Sequence, residues 1–191
     1  MSKLKHGIKN CNTIMLDVFV DGVKVYRNVF EECWPILARC KDFVDSTPFV
    51  IGIFYGLGKP KPIQDYLRNF IQEIKDLRRE GVVFENRHFD VDIRYYLGDA
   101  PALAYLKCIK GSTSHDGCER SDQEGGYDGF VYYSTKIRIE RTDESFDSRR
   151  DPEHHTGNSP LIELLFNFGM DNRFPYTNIL HKFKLILIKL I

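Results

Sequence analysis

Neither sign of charge is in excess in this chain: 27 Lys and Arg stand against 27 Asp and Glu over 191 residues. A free-standing nucleic-acid grip normally shows a basic excess, so a simple basic DNA clamp is disfavoured. Long apolar runs are missing too. The longest, residues 183–191, is nine residues with two lysines inside it, against the roughly 20 that a membrane helix needs. Residues 1–13, MSKLKHGIKNCNT, have no apolar run behind their lysines, so no secretory signal is expected. Cysteine is sparse: Cys11, Cys33, Cys40, Cys108 and Cys118 are odd in number and irregularly spaced. They suit a reducing compartment better than a disulfide framework. No phosphate-cradling glycine motif occurs, and no Ser/His/Asp or Cys/His triad can be set out by spacing. What is plentiful is apolar and aromatic content, 42% and 13%, which is enough to bury a core. The expectation is a soluble intracellular α/β chain of about one domain, with no membrane partner and no identified small-molecule substrate.

The pattern along the chain is alternation interrupted by one clear helix. Residues 14–20 alternate Ile14, Leu16, Val18 and Val20 with Met15, Asp17 and Phe19, which predicts a strand. Asp21-Gly22 follows and alternation resumes at Val23, so a tight hairpin at Asp21-Gly22 is predicted. Residues 30–39 read as a short helix or strand, because Pro35 interrupts them. Residues 48–55 are a compact run of β-formers and read as a buried strand. A Pro-punctuated loop at 59–61 leads into a helix over 62–80. There Ile63, Tyr66, Leu67, Phe70, Ile71, Ile74 and Leu77 recur at helical spacing, before Gly81. Residues 82–84 and 89–97 are strands, with Phe89, Val91, Ile93, Tyr95 and Leu97 predicted on one face. Residues 100–109 form a short helix with Pro101 in its first turn.

From Gly111 the chain turns polar and Gly-rich. Residues 130–139 recover alternation, 142–159 read as an exposed charged excursion, and 161–168 as a helix. The apolar end at 183–191 predicts a core that is C-terminally incomplete. The organisation is therefore a tail at 1–13, a core at 14–110, a polar insert at 111–160 and a truncated final part of the core at 161–191.

Strand, hairpin strand, strand, long helix, strand, short helix matches the first two-thirds of a ribonuclease H-like mixed sheet with flanking helices. In that arrangement the crossover lays the fourth strand parallel to and beside the first. Asp21 ends the first strand and Asp99 the fourth. Carboxylates on adjacent strands can hold two hard cations about 3.5–4 Å apart, the arrangement that phosphodiester cleavage and strand transfer require. A third acid from a later helix normally completes the set. Asp21 is equally a good turn residue beside Gly22. Asp17 shares its face and rivals it for the same task. Asp99 suits a helix N-cap before Ala100-Pro101.

Several motifs fall in one order. They run Val20-Asp21-Gly22-Val23, Cys33-Trp34-Pro35-Ile36-Leu37, Pro48-Phe49-Val50-Ile51-Gly52-Ile53-Phe54, Lys59-Pro60, and Gly98-Asp99-Ala100-Pro101-Ala102. Ile109-Lys110-Gly111, Gly117-Cys118-Glu119-Arg120, Arg141-Thr142-Asp143-Glu144-Ser145-Phe146, His154-His155, Ser159-Pro160-Leu161 and Phe174-Pro175 follow. In this order they resemble the CACTA (EnSpm-like) cut-and-paste transposases and their transposase domain-containing relatives, from about residue 14 to about residue 175. The resemblance implies a ribonuclease H-like catalytic core, Mg²⁺ or Mn²⁺ as cofactor, transposon-end DNA as partner and a nuclear location. It matches Asp21 and Asp99 to the family's first two catalytic, metal-binding acids.

Departures from the family pattern matter as much. Where the family has Cys-x-x-Cys, Cys118 is followed at the matching place by Ser121. After Phe174-Pro175 the family's acid and histidine are replaced by Thr177 and Leu180. The expectation is a degenerate transposase domain, inactive as this chain, with a non-catalytic transposon-derived module for binding DNA or protein as the alternative. Cys108, His115, Cys118, His154 and His155 do not make a zinc site by spacing, since the tight Cys pair is broken. The two adjacent histidines are expected to be solvated. The charges over 136–150 alternate in sign and predict a mixed solvated face.

Overall fold

The computed structural model describes residues 12–24, 30–41, 47–134, 139–164 and 173–174. Its architecture is α/β, a mixed sheet with helices against it. Strand β1 (Thr13–Val20) lies in the middle. On one side it pairs antiparallel with β3 (Glu31–Cys40), which in turn pairs antiparallel with β4 (Phe49–Leu57). Helix α1 (Ile63–Glu80) then crosses over, and after β5 (Val82–Phe84) the chain returns as β6 (Arg87–Leu97). Strand β6 runs parallel to β1 and beside it, with β5 antiparallel on its far edge.

The predicted Asp21-Gly22 hairpin does not form. The two-residue strand β2 (Val23–Lys24) pairs with β3, not with β1. Val20 faces Ile36 and Val23 faces Cys33, so three residues separate the pairs on either strand and the register is unbroken. β1 and β2 are one strand interrupted at Asp21-Gly22. Opposite the interruption stand Pro35, which has no N–H to donate, and Trp34, whose indole a Cβ at Gly22 would strike. Gly22 is there for close approach rather than for a turn.

Residues 30–39, left open between helix and strand, are strand β3. The run at 48–55 is a strand but not a buried one. Among the described residues β4 pairs only with β3, and Ile53, Tyr55 and Leu57 are 58%, 59% and 76% exposed. A fully apolar strand reads the same whether covered on both faces or lying at an edge, so periodicity could not separate the two.

β6 carries the other correction. Leu16 pairs with Ile93 but Asp17 pairs with Tyr95, so Arg94 is an extra residue, a β-bulge. The bulge swaps the sides of everything after it. Val91 and Ile93 face α1, and beyond the bulge it is Tyr96 that joins them. Tyr95 and Leu97 pass to the opposite face, with Phe19 and Leu37.

The main core lies between the sheet and the helices. Ile63, Leu67, Phe70, Ile71 and Ile74 of α1 are buried against Leu16, Val18, Val20, Trp34 and Ile36. Helix α2 (Ala100–Lys107) adds Ala102, Leu103 and Leu106. Burying five α1 side chains contributes roughly 1.5–3 kcal/mol each, so the amphipathic face pins the crossover.

The insert is a closed excursion from this core. Ile109 bridges to His155, Lys110 N–H donates to the His154 carbonyl at 2.8 Å, and Thr156 N–H donates to the Cys108 carbonyl at 2.8 Å. It contains the short ribbon β7 (Gly126–Tyr127) with β8 (Val131–Tyr132) and the one-turn helix α3 (Asp143–Asp147). The strand expected over 130–139 is thus two residues long among those described, residues 135–138 lying outside them. The excursion over 142–159 is less exposed than expected: Phe146, His154 and Ser159 are buried. Pro160–Leu164 is a 3-10 helix, and the rest of the helix expected to 168 lies outside the described residues, as do Thr177, Leu180 and the apolar end at 183–191.

Candidate functional site: the ends of β1 and β6

Parallel pairing decides where the two sequence-predicted acids go. The last paired residues of β1 and β6 are Phe19 and Leu97, and Asp21 and Asp99 each lie two residues beyond that pair. Adjacent strands run about 4.8 Å apart, so the two acids leave neighbouring strands at the same level. Gly98 allows the approach, since a Cβ there would lie 2.6 Å from the Val20 carbonyl oxygen. Asp21 is buried, 7% exposed, at the interruption of the β1–β2 strand. Asp99 is half-buried and caps α2, its Oδ1 accepting the Ala102 N–H at 2.8 Å. Cap and metal ligand are compatible roles, because Oδ2 makes no hydrogen bond among the described residues.

Two carboxylates on adjacent strand ends can hold one hard cation with water in its remaining positions. A pair of cations needs more. Among the described residues no three His, Cys, Asp or Glu side chains are grouped to hold a metal ion. No third acid of a two-metal site is grouped with them among the described residues.

Asp17, the rival acid, is committed elsewhere. Its carboxylate is wholly buried and gripped by two guanidinium groups. Arg39, its cross-strand partner on β3, donates from Nε at 3.0 Å and Nη2 at 2.8 Å. Arg94, the bulged residue, donates from Nε to Oδ1 at 2.7 Å and from Nη2 to Oδ2 at 2.5 Å. Burial opposes ionisation, and the hydrogen bonds and charges of Arg94 and Arg39 outweigh it, so the carboxyl sits below its ordinary value. Asp17 is a structural anion.

Next to Gly22 the sequence reading missed a cluster of aromatics. Trp34 faces Gly22; its Nε1 donates to Glu32 Oε2 at 2.8 Å and its carbonyl accepts from the Tyr66 hydroxyl at 3.2 Å. Tyr105 of α2 lies against the indole, ring centroids 5.1 Å apart. Burial pushes the hydroxyls of Tyr66 and Tyr105 upward, so both remain protonated donors. The exposed side chain of Lys59 extends over both the Trp34 and Tyr105 rings. Lys59-Pro60 and Cys33-Trp34 were visible as motifs, but nothing in their spacing says that they meet.

Compared with family models, with curated proteins and with solved structures, the chain matches none. Nothing beyond its own geometry bears on the site.

In the insert, the residues considered for zinc do not converge into a metal cluster. Cys118 Sγ lies 3.1 Å from Ser121 Oγ and accepts from Gln123 Nε2 at 3.5 Å. Burial raises this thiol, and the Ser121, Gln123 and backbone hydrogen bonds more than offset it, leaving it below its ordinary value. Of the two histidines expected to be solvated, His154 is buried and His155 half-buried. His154 is 1% exposed with Nδ1 at 2.7 Å from the Asp116 carbonyl, and His155 packs edge-on against Phe146. They lock the insert's closing strand onto residues 108–110, an interior task that a charged-loop context hides.

Proposed function

We propose that the chain carries a ribonuclease H-like scaffold of the CACTA (EnSpm-like) transposase type, ancestrally for metal-dependent DNA cleavage and strand transfer and degenerate in this sequence. The reading rests on one observation: the parallel register of β1 with β6 across the α1 crossover, with Asp21 and Asp99 each two residues past the last pair. In this reading Asp21 and Asp99 are the metal ligands and Mg²⁺ or Mn²⁺ is the cofactor. When bound, such an ion polarises the phosphodiester and the attacking oxygen. Asp99 also fixes the first turn of α2, so the ligand and the helix are aligned by one hydrogen bond. With two acids and no third among the described residues, the site binds an ion without completing the two-metal arrangement. Transposon-end DNA as partner and a nuclear location belong to the same proposal.

Mn²⁺ titration by calorimetry tests it. Weak binding of one ion is expected, lost in Asp21→Asn and in Asp99→Asn, with no nicking of duplex DNA. Asn at 99 keeps the acceptor for Ala102, so the cap survives the test. Ion binding indifferent to both substitutions would remove the site. Mn²⁺-dependent nicking that disappears in Asp99→Asn would overturn the degeneracy.

One observation favours the alternative, a non-catalytic transposon-derived module. The edge strand β4 exposes Ile53, Tyr55 and Leu57 in a row, with no charged residue between Phe49 and Leu57. Apolar edges of this kind take up partner strands. That reading requires binding that needs no metal and survives both aspartate substitutions.

A further inference from the structure

We infer that Lys59 is a phosphate anchor, holding the backbone of a nucleic acid laid across the Asp21–Asp99 edge; the choice of ligand rests on the scaffold reading above. The loop that follows β4 bends at Gly58, φ +68°, and is stapled to α2 at two points. Lys59 Nζ donates to the Pro101 carbonyl at 3.2 Å, and the Tyr105 hydroxyl donates to the Pro60 carbonyl at 2.6 Å. The ammonium lies 5.6 Å from the Trp34 ring centroid and 5.4 Å from that of Tyr105. Pro101 is two residues from Asp99, and Trp34 faces Gly22, the neighbour of Asp21. The cation is thus held by α2, which Asp99 caps, and by β3, the strand that runs beside the Asp21–Gly22 interruption.

Lys75, Lys107 and Lys110 each pair with a carboxylate, whereas Lys59, like Lys24, Lys41 and Lys61, pairs with none among the described residues; what distinguishes Lys59 is the two aromatic rings its ammonium lies over. An ammonium has three donors, and a single carbonyl takes one of them. Two aromatic faces restrict the side chain without neutralising it. The arrangement answers a specific difficulty. A polyanion approaching two aspartates is repelled, and in a chain of zero net charge no general basic field compensates. An exposed cation held over Trp34 and Tyr105, with no carboxylate partner among the described residues, supplies that compensation locally.

The test is a calorimetric titration of the full chain with a duplex of about 20 base pairs, in EDTA, over a range of salt concentrations. Lys59→Met keeps the aliphatic stem and removes the charge; Lys59→Gln is a second neutral variant, and Lys59→Arg keeps the charge. Both neutral variants are expected to bind several-fold more weakly, their slope of log affinity against log salt reduced by about 0.9, with Lys59→Arg close to wild type. Thermal midpoints of all variants should match wild type, since the side chain is exposed. Unchanged slope and affinity in both neutral variants, or no duplex binding by wild type, overturns the inference. Because metal is excluded, failure of Mn²⁺ to bind at Asp21 and Asp99 would remove the scaffold reading and leave a reduced slope as support for the anchor.

Discussion

Removing the Asp17 carboxylate takes from the Arg39 and Arg94 guanidinium groups the buried anion they share in the middle of the sheet. Breaking a buried charge cluster by deleting one member costs about 3–5 kcal/mol, so Asp17→Ala should be among the most damaging single changes in the chain. Urea unfolding measures it, and a loss under about 1 kcal/mol would show that Asp17 does not hold the sheet centre. The contrast with Asp21 is informative, since a sequence pattern treats the two acids alike. What separates them is a bulge and two arginines, and neither shows in the alternation of residues 14–20. Gly22 can be tested in the same way. Gly22→Ala drives a methyl into the indole of Trp34, and overpacking of this kind costs about 1–3 kcal/mol. Were Gly22 needed only as a turn residue, the size of the facing side chain would not matter; Trp34→Leu should therefore relieve part of the Gly22→Ala penalty.

At the scale of elements, the extra residue in β6 divides what could be read in advance from what could not. Helix α1, the Asp99 cap and the parallel return of β6 were all legible, because helical periodicity, Asp before Ala-Pro and crossover handedness are local or topological rules. The faces of Tyr95, Tyr96 and Leu97 were not, because adjacent tyrosines suit either side of a sheet. Deleting Arg94 should restore simple alternation, turn Tyr96 away from α1 and strip Asp17 of a partner; the expected outcome is loss of cooperative unfolding, followed by circular dichroism. β4 was misjudged for a different reason, its apolar run lying at an edge. Ile53→Lys should leave the unfolding midpoint within about 0.5 kcal/mol and reduce self-association, measured by light scattering. A large loss of stability would mean that Ile53 is covered after all.

Over the whole molecule, acid should unfold the chain in two stages. Burial, together with His154, Arg149 and Arg141, pushes His155 down to about 4, against an ordinary 6.5. A histidine held neutral in the folded state contributes stability that is complete above pH 6.5 and is lost as pH falls toward 4, where the unfolded chain takes up the proton first. Asp17, lowered from 3.8, retains its contribution until pH falls through and below that value. The urea midpoint should therefore decline first between pH 6.5 and 4 and again below 4. His155→Asn should flatten the first stage and leave the second, and a midpoint constant from pH 7 to 4.5 would show that the folded chain does not hold His155 neutral.

Trp34 is the sole tryptophan of the chain, and it stands between Gly22, Tyr105 and Lys59 at the mouth of the acid pair. The molecule therefore carries its own optical reporter at the place where a ligand is expected. All indole emission comes from that one ring, so a paramagnetic ion or a stacked base arriving there would quench it without any label.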